Sequence, residues 1–193
     1  MAGIFLVLEG PSGSGKSTLQ KSLGKYFTNL GHEVILTKEP TTKFNSNDEN
    51  TKKGIELSEL YLADRKEHVL ECIMPNLMAQ KTVICDRYIP STMVYQQIEG
   101  IPNSTIIAQN IEFPVPTLTV FLNVDIELLT KRVNERSVKT RFEADTFRAQ
   151  EVKVYNQIPN ILSSLGWNTM TIDADRLTVD NITELIATVI LPT

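Results

Sequence analysis

The stretch IFLVLEGPSGSGKSTLQ, Ile4–Gln20, decides how the rest of the chain is read. A short apolar run, Ile4–Leu8, has the length and composition of a buried strand. A glycine-containing turn follows, and from Ser17 to Leu30 the apolar residues recur with helical spacing until Gly31 offers a C-cap. Gly10, Gly15, Lys16 and Ser17 occupy the fixed positions of G-x-x-x-x-G-K-[ST], in the strand–loop–helix context that this pattern requires. Backbone N–H groups from Gly13 to Ser17 can wrap a β-phosphate at the positive end of the helix. Lys16 would reach the β- and γ-oxygens, and the Ser17 hydroxyl would serve a magnesium ion. Residues 10–18, with Pro11, Ser12, Ser14 and Thr18 completing the loop, are the expected cradle for a nucleotide. Lys16 is the one basic residue in the loop, so further positive charge for moving a phosphoryl group must come from elsewhere.

Four more β-branched apolar runs read as strands: Val34–Thr37, Thr82–Cys85, Thr119–Leu122 and Thr169–Ile172. Helical patterns lie between them at Ile55–Met78, where Pro75 is expected to kink or break the last turns, and at Ser91–Phe113, interrupted around EGIPNS. Further helices are predicted at Ile126–Arg136, Glu143–Leu165 and Asn181–Ile190. Strands alternating with helices predict an α/β fold with a parallel sheet covered on both faces. The polar segment Thr41–Lys53 reads as a mobile surface loop. With 193 residues and neither repeat nor linker, the chain is expected to form a single domain over 1–193. Its formal charge of −4 argues against nucleic-acid or anionic-membrane partners. The two cysteines, Cys72 and Cys85, stand in no metal-ligand pattern, and Cys85 reads as a buried thiol in a reducing compartment. The apolar start is too short for a signal peptide or a membrane span, so a cytoplasmic protein is expected.

Three other stretches carry chemistry. In VICDRYIPSTMVYQQ, Val83–Gln97, Asp86 and Arg87 directly follow a strand, at the sheet edge where ligands bind in such folds. A carboxylate there can hold hydrated magnesium, and the arginine can grip a phosphate with two hydrogen bonds. In ELYLADRKEHV, Glu59–Val69, Tyr61, Asp64, Arg65 and His68 share one helix face. An aromatic ring and a guanidinium one turn apart suit a planar base, which would stack on Tyr61 and accept from Arg65. His68 has no evident partner in the sequence and reads as structural or exposed. In KRVNERSVKTRFE, Lys131–Glu143, five cations fall within eleven residues: Lys131, Arg132, Arg136, Lys139 and Arg141. Such a segment can close as a lid that supplies the charge the loop lacks.

In this order, EGPSGSGKST, TKEP (Thr37–Pro40), LADRKEH (Leu62–His68) and DRYIPSTMVYQ (Asp86–Gln96) resemble the thymidylate kinase family. TLTVFLNV (Thr117–Val124) and IDA (Ile172–Ala174) add weaker matches. The resemblance covers essentially the whole chain. It implies a P-loop NTPase fold with a five-stranded parallel sheet in order 2-3-1-4-5, transfer of phosphate from ATP to dTMP with Mg2+, and a homodimer. It assigns acceptor binding to regions 38–70 and 86–97 and the lid to 136–148. By the same resemblance Tyr61 stacks on thymine, Arg65 contacts the base, and Lys38, Glu39, Pro40, Thr92, Tyr95 and Gln96 line the acceptor pocket. Arg87 holds the acceptor phosphate, Asp86 lies near the magnesium, Arg132 packs on adenine, and Arg136 and Arg141 carry lid charge. Two stretches depart from the family pattern: in the phosphate loop Ser12 replaces an acidic residue, and TKEPTT replaces TREPGG, so that Lys38 stands for an arginine and the glycine pair is gone. A kinase of another monophosphate (dUMP, CMP or GMP) and a P-loop module that transfers no phosphate are the alternative readings.

Overall fold

The computed structural model describes residues 3–135, 142 and 145–191. Five strands form one parallel sheet: β1 (Ile4–Glu9), β2 (Val34–Lys38), β3 (Thr82–Asp86), β4 (Leu118–Asn123) and β5 (Thr169–Asp173). Their order is β2-β3-β1-β4-β5, with Leu8 paired to Asp86 on one side and to Val120 on the other. β1 is buried on both faces, which is why it reads as an uninterrupted apolar run rather than an alternating one. Its residues nevertheless divide between two cores. Phe5 and Val7 pack with Val83, Cys85 and Phe121 on one face, whereas Leu6 and Leu8 pack with Ile84, Val120 and Ile172 on the other.

The second face is covered by α1 (Lys16–Asn29) and by the last helix, whose Ile182 and Ile186 join Leu19, Leu23 and Phe27 in that core. Between β2 and β3 lie a one-turn helix α2 (Asp48–Thr51), α3 (Gly54–His68), a π-helical turn (Val69–Ile73) and α4 (Met74–Met78). After β3 come α5 (Ile89–Ile98) and α6 (Asn103–Asn110); α7 (Ile126–Asn134), α8 (Asp145–Tyr155) and α9 (Ile158–Ser164) connect β4 to β5, and α10 (Val179–Ile190) follows β5.

Three expectations are corrected. The interruption in the long helix between β2 and β3 begins at Val69 rather than at Pro75, which sits in the first turn of α4. Proline lacks an N–H and crowds the carbonyl four residues back, here Glu71, so the helical ladder is disturbed one turn upstream of the ring. Where one helix is predicted over Glu143–Leu165, the described residues form two, α8 and α9, with Pro159 in the first turn of α9. The segment Thr41–Lys53 is tied to the fold: it contains α2, and Thr41 donates to the Asp64 carboxylate from its N–H at 2.9 Å and from its hydroxyl at 2.6 Å. Among the described residues, no helix is long and apolar enough to cross a membrane.

Candidate active site

The C-terminal ends of β1 and β3 place two clefts side by side. The first is built from the loop after β1. Gly10 has φ +143°, and a Cβ there would lie 2.7 Å from the carbonyl oxygen of Leu122, so only glycine lets the chain turn this close to β4. Gly15 (φ +97°) closes the loop into α1. This cleft is lined by Gly13 through Leu19, by Arg132, and by Ala174, Thr178 and Ile182. Asp125 caps α7 by accepting from the Glu127 N–H at 2.8 Å, a contact worth about 1 kcal/mol to a helix. The helix so fixed brings Arg132 back to the loop, where its guanidinium donates to the Gly13 carbonyl at 3.1 Å.

At the floor of the loop the Lys16 ammonium is buried and donates to the carbonyls of Gly10 (2.8 Å) and Pro11 (3.0 Å). Burial, reinforced by the nearby Arg87 charge, lowers its pKa to about 7 against the pull of Asp86, Glu151 and Glu9. The Ser17 hydroxyl donates to the Asp86 carboxylate at 2.6 Å. A hydroxyl and a carboxylate side by side at the mouth of a phosphate loop form a hard oxygen donor pair.

The second cleft is lined by Ser12, Glu39, Pro40, Glu49, Tyr61, Asp64, Arg65, Arg87, Tyr88, Ser91, Thr92, Tyr95 and Phe142. Ser12 belongs to the loop itself, next to Gly13 of the first cleft, so the loop borders both. Tyr61 forms one wall. Phe44 stacks on it with centroids 5.0 Å apart and planes 9° from parallel, and the Tyr61 hydroxyl donates to Glu49 at 2.9 Å. One turn along α3, Arg65 is buried; it donates to Glu39 (2.8 Å), Asn110 (2.7 Å) and the Thr92 hydroxyl (2.8 Å). Glu39 also meets His68 Nδ1 at 3.0 Å, while His68 Nε2 meets the Thr37 hydroxyl at 2.7 Å. His68 is therefore a buried, fully paired support of Glu39, not a free side chain. Three carboxylates thus line this cleft, each bonded to a donor of the protein.

Arg87 stands between the clefts in the left-handed region, with φ +74°, a conformation that costs a non-glycine residue on the order of 1 kcal/mol. Its Nη1 donates to Ser91 Oγ at 3.0 Å and to the Tyr155 hydroxyl at 2.8 Å, and its guanidinium carbon lies 5.4 Å from the centre of the Tyr95 ring. Burial opposes its charge, but Tyr95, Tyr155, Glu151 and Asp86 outweigh that cost and raise its pKa. Burial likewise pushes up the hydroxyls of Tyr95 and Tyr155, which stay protonated donors near neutrality. Behind Arg87 the Glu9 carboxylate is fully buried; burial raises its pKa despite Arg87, the hydrogen bonds from Ser91 and Tyr88, and Lys16.

The structure thus brings together most of the residues singled out in the sequence: the loop, Arg132, Asp86, Arg87, Glu39, Pro40, Tyr61, Arg65, Thr92 and Tyr95. Two stand apart. Lys38 is exposed and lines a neighbouring groove with Lys43, Glu67 and Glu71. Gln96 is fully enclosed, outside the residues lining either cleft, and its carboxamide has no hydrogen-bond partner among the described residues. Arg136, Lys139 and Arg141, with most of the lid at 136–148, lie outside the described residues, although Phe142 reaches the cleft and packs 4.9 Å from Tyr95. Sequence reasoning missed Glu9, Glu49, Tyr155 and Glu151. The Glu151 carboxylate accepts from the Ser12 N–H at 3.2 Å and the Tyr95 hydroxyl at 2.8 Å, placing buried acid beside the loop position where Ser12 supplies none. For Glu9 a signal existed: a carboxylate ending an apolar strand directly before a phosphate loop.

Residues 8–186 match the sequence profile of the thymidylate kinase family. A probable thymidylate kinase of Pyrococcus horikoshii is 37% identical over 155 residues, covering 74% of this chain and 76% of that protein. One from Thermococcus gammatolerans is 40% identical over 156 residues, covering 73% and 75%. A thymidylate kinase of Bacillus cytotoxicus is 34% identical over 152 residues, covering 72% and 73%.

Proposed function

The chain belongs to the thymidylate kinase family, and from that premise we propose how its two clefts carry out the reaction. The protein is a phosphotransferase that moves the γ-phosphoryl group of ATP to dTMP, giving ADP and dTDP. ATP lies in the first cleft, its phosphates on the N–H groups of Gly13–Ser17 and its adenine beside Arg132. The acceptor nucleotide lies in the second, its base against Tyr61 above Arg65 and Thr92, and its phosphate on Arg87. The observation that carries this reading is that the loop serves both clefts, Ser12 lining the second and the next residue, Gly13, the first, with Arg87 lining the second beside Ser12.

The bond between the γ-phosphorus and the β–γ bridging oxygen breaks, and a bond forms from that phosphorus to a phosphate oxygen of dTMP. No covalent intermediate with the protein and no strong general base are needed; the work is alignment and charge. Lys16 and Arg87 supply that charge from opposite sides of the junction, and Arg136 and Arg141 add to it from the lid. The Ser17–Asp86 pair fits a hydrated Mg2+, which would neutralise charge on the transferring phosphates when bound. Second copies of the chain would cover the exposed apolar side chains of Leu70, Met74 and Met78, which supports a homodimer. The nucleotide substrates support a cytoplasmic location.

A coupled assay of ADP release across dTMP, dUMP, dCMP, dGMP and CMP tests the acceptor. The expected result is the highest kcat/KM for dTMP; a higher value for a purine or cytidine nucleotide would overturn the assignment.

A further inference from the structure

We propose that Glu9 and Tyr155 are positioning residues for Arg87, fixing its guanidinium on the acceptor phosphate through the hydroxyls of Ser91 and Tyr155. The inference rests on Arg87 holding that phosphate. Glu9 is the last residue of β1 and has two oxygens with two different duties. Oε1 accepts the N–H of Tyr88 at 2.8 Å and of Ser91 at 3.3 Å, covering the exposed donors at the start of α5, where Pro90 has none to offer. That is a helix cap supplied from another element. Oε2 accepts the Ser91 hydroxyl at 2.7 Å and the Tyr155 hydroxyl at 3.2 Å. The same two hydroxyl oxygens accept from Arg87 Nη1 at 3.0 Å and 2.8 Å.

The polarity of the network follows from the inventory of donors. Arginine can only donate and a carboxylate can only accept, so the Ser91 proton turns toward Glu9, the Tyr155 proton toward Glu9 or the Ser91 oxygen 2.9 Å away, and both oxygens present lone pairs to Arg87. Each link therefore orients the next, and the charged ends strengthen the two hydroxyl bridges between them. Arg87 needs this support because its backbone is in a left-handed conformation that does not by itself aim the side chain. Tyr155 closes α8, whose Glu151 is also bonded to Ser12, so the relay joins that helix to the phosphate loop and to the acceptor site. Tyr155→Phe cuts the relay and leaves the helix cap intact, which separates positioning from structure.

Calorimetric titration of dTMP and of thymidine, without ATP, distinguishes the two, because thymidine carries no phosphate for Arg87 and reports the rest of the cleft. Tyr155→Phe is expected to weaken dTMP about tenfold and thymidine by less than about twofold, with Glu9→Gln acting in the same direction. In an Arg87→Ala background, adding Tyr155→Phe should change dTMP affinity by less than about twofold, since the relay then has nothing to orient. Equal loss of both ligands in Tyr155→Phe would assign it a structural role and overturn the proposal. Unchanged dTMP affinity in Tyr155→Phe and Glu9→Gln, with a large loss in Arg87→Ala, would overturn the relay alone. No loss in Arg87→Ala would remove Arg87 from phosphate binding, and the relay with it.

Discussion

Lys16, buried, and Arg87, half-buried, face the same problem, a cation with little water around it, and resolve it differently. Arg87 keeps its charge because two tyrosine oxygens and two carboxylates surround it. Lys16, held by backbone carbonyls beside that other cation, has its pKa lowered to about 7. Its unfolded value is near 10.5, so between these limits the unfolded chain binds the additional proton. Stability in nucleotide-free buffer should therefore rise from pH 7 toward pH 9, and Lys16→Met should flatten that rise; chemical denaturation at several pH values checks it, and an identical slope in both proteins would count against the buried charge. Residues inside contiguous motifs were legible in the sequence: Ser17 and Asp86 were paired in role before they were found 2.6 Å apart. Glu9 and Tyr155, 146 positions apart, were not, because nothing local marks a contact that only the assembled sheet creates. Gln96 shows the opposite failure, since its place in a motif suggested the pocket and the helix turns it into the protein interior.

The three central strands were legible because they are buried apolar runs, and the edge strands β2 and β5, though partly exposed, were legible from their β-branched and apolar residues. The segment between β2 and α3 was misread for an equally physical reason. Its polar composition conceals two contacts that need a partner already in place, the Thr41 bonds to Asp64 and the stacking of Phe44 on Tyr61. That segment backs Tyr61, the wall on which the base is proposed to stack. Phe44→Ala should raise the KM for dTMP about three- to tenfold, a loss of the size expected for an aromatic pair, while leaving the KM for ATP within about twofold. Steady-state kinetics with each substrate varied in turn checks this, and an equal rise in both constants would assign Phe44 to the general fold instead. The helix interruption at Val69 was signalled by Pro75 but displaced by a turn, since proline acts on the carbonyl behind it.

At the scale of the molecule, the order β2-β3-β1-β4-β5 accounts for the site. β1 and β3 are neighbours, so the loop after one and the Asp86-Arg87 turn after the other emerge together at one edge. Connections from farther along the chain bring Arg132 to the first cleft and Phe142, Tyr155 and Glu151 to the second or its support. The two clefts are thereby held on a scaffold whose cores lie on both faces of the same sheet. The central claim is that Arg87 fixes the acceptor phosphate opposite the nucleotide on the loop. It is tested most directly by the kinetics of Arg87→Ala with dTMP and ATP. The expected result is a fall in kcat/KM for dTMP of about a hundredfold or more, on the order of 3 kcal/mol, with ATP affinity within about twofold of the parent. Near-normal transfer to dTMP in that variant would contradict it.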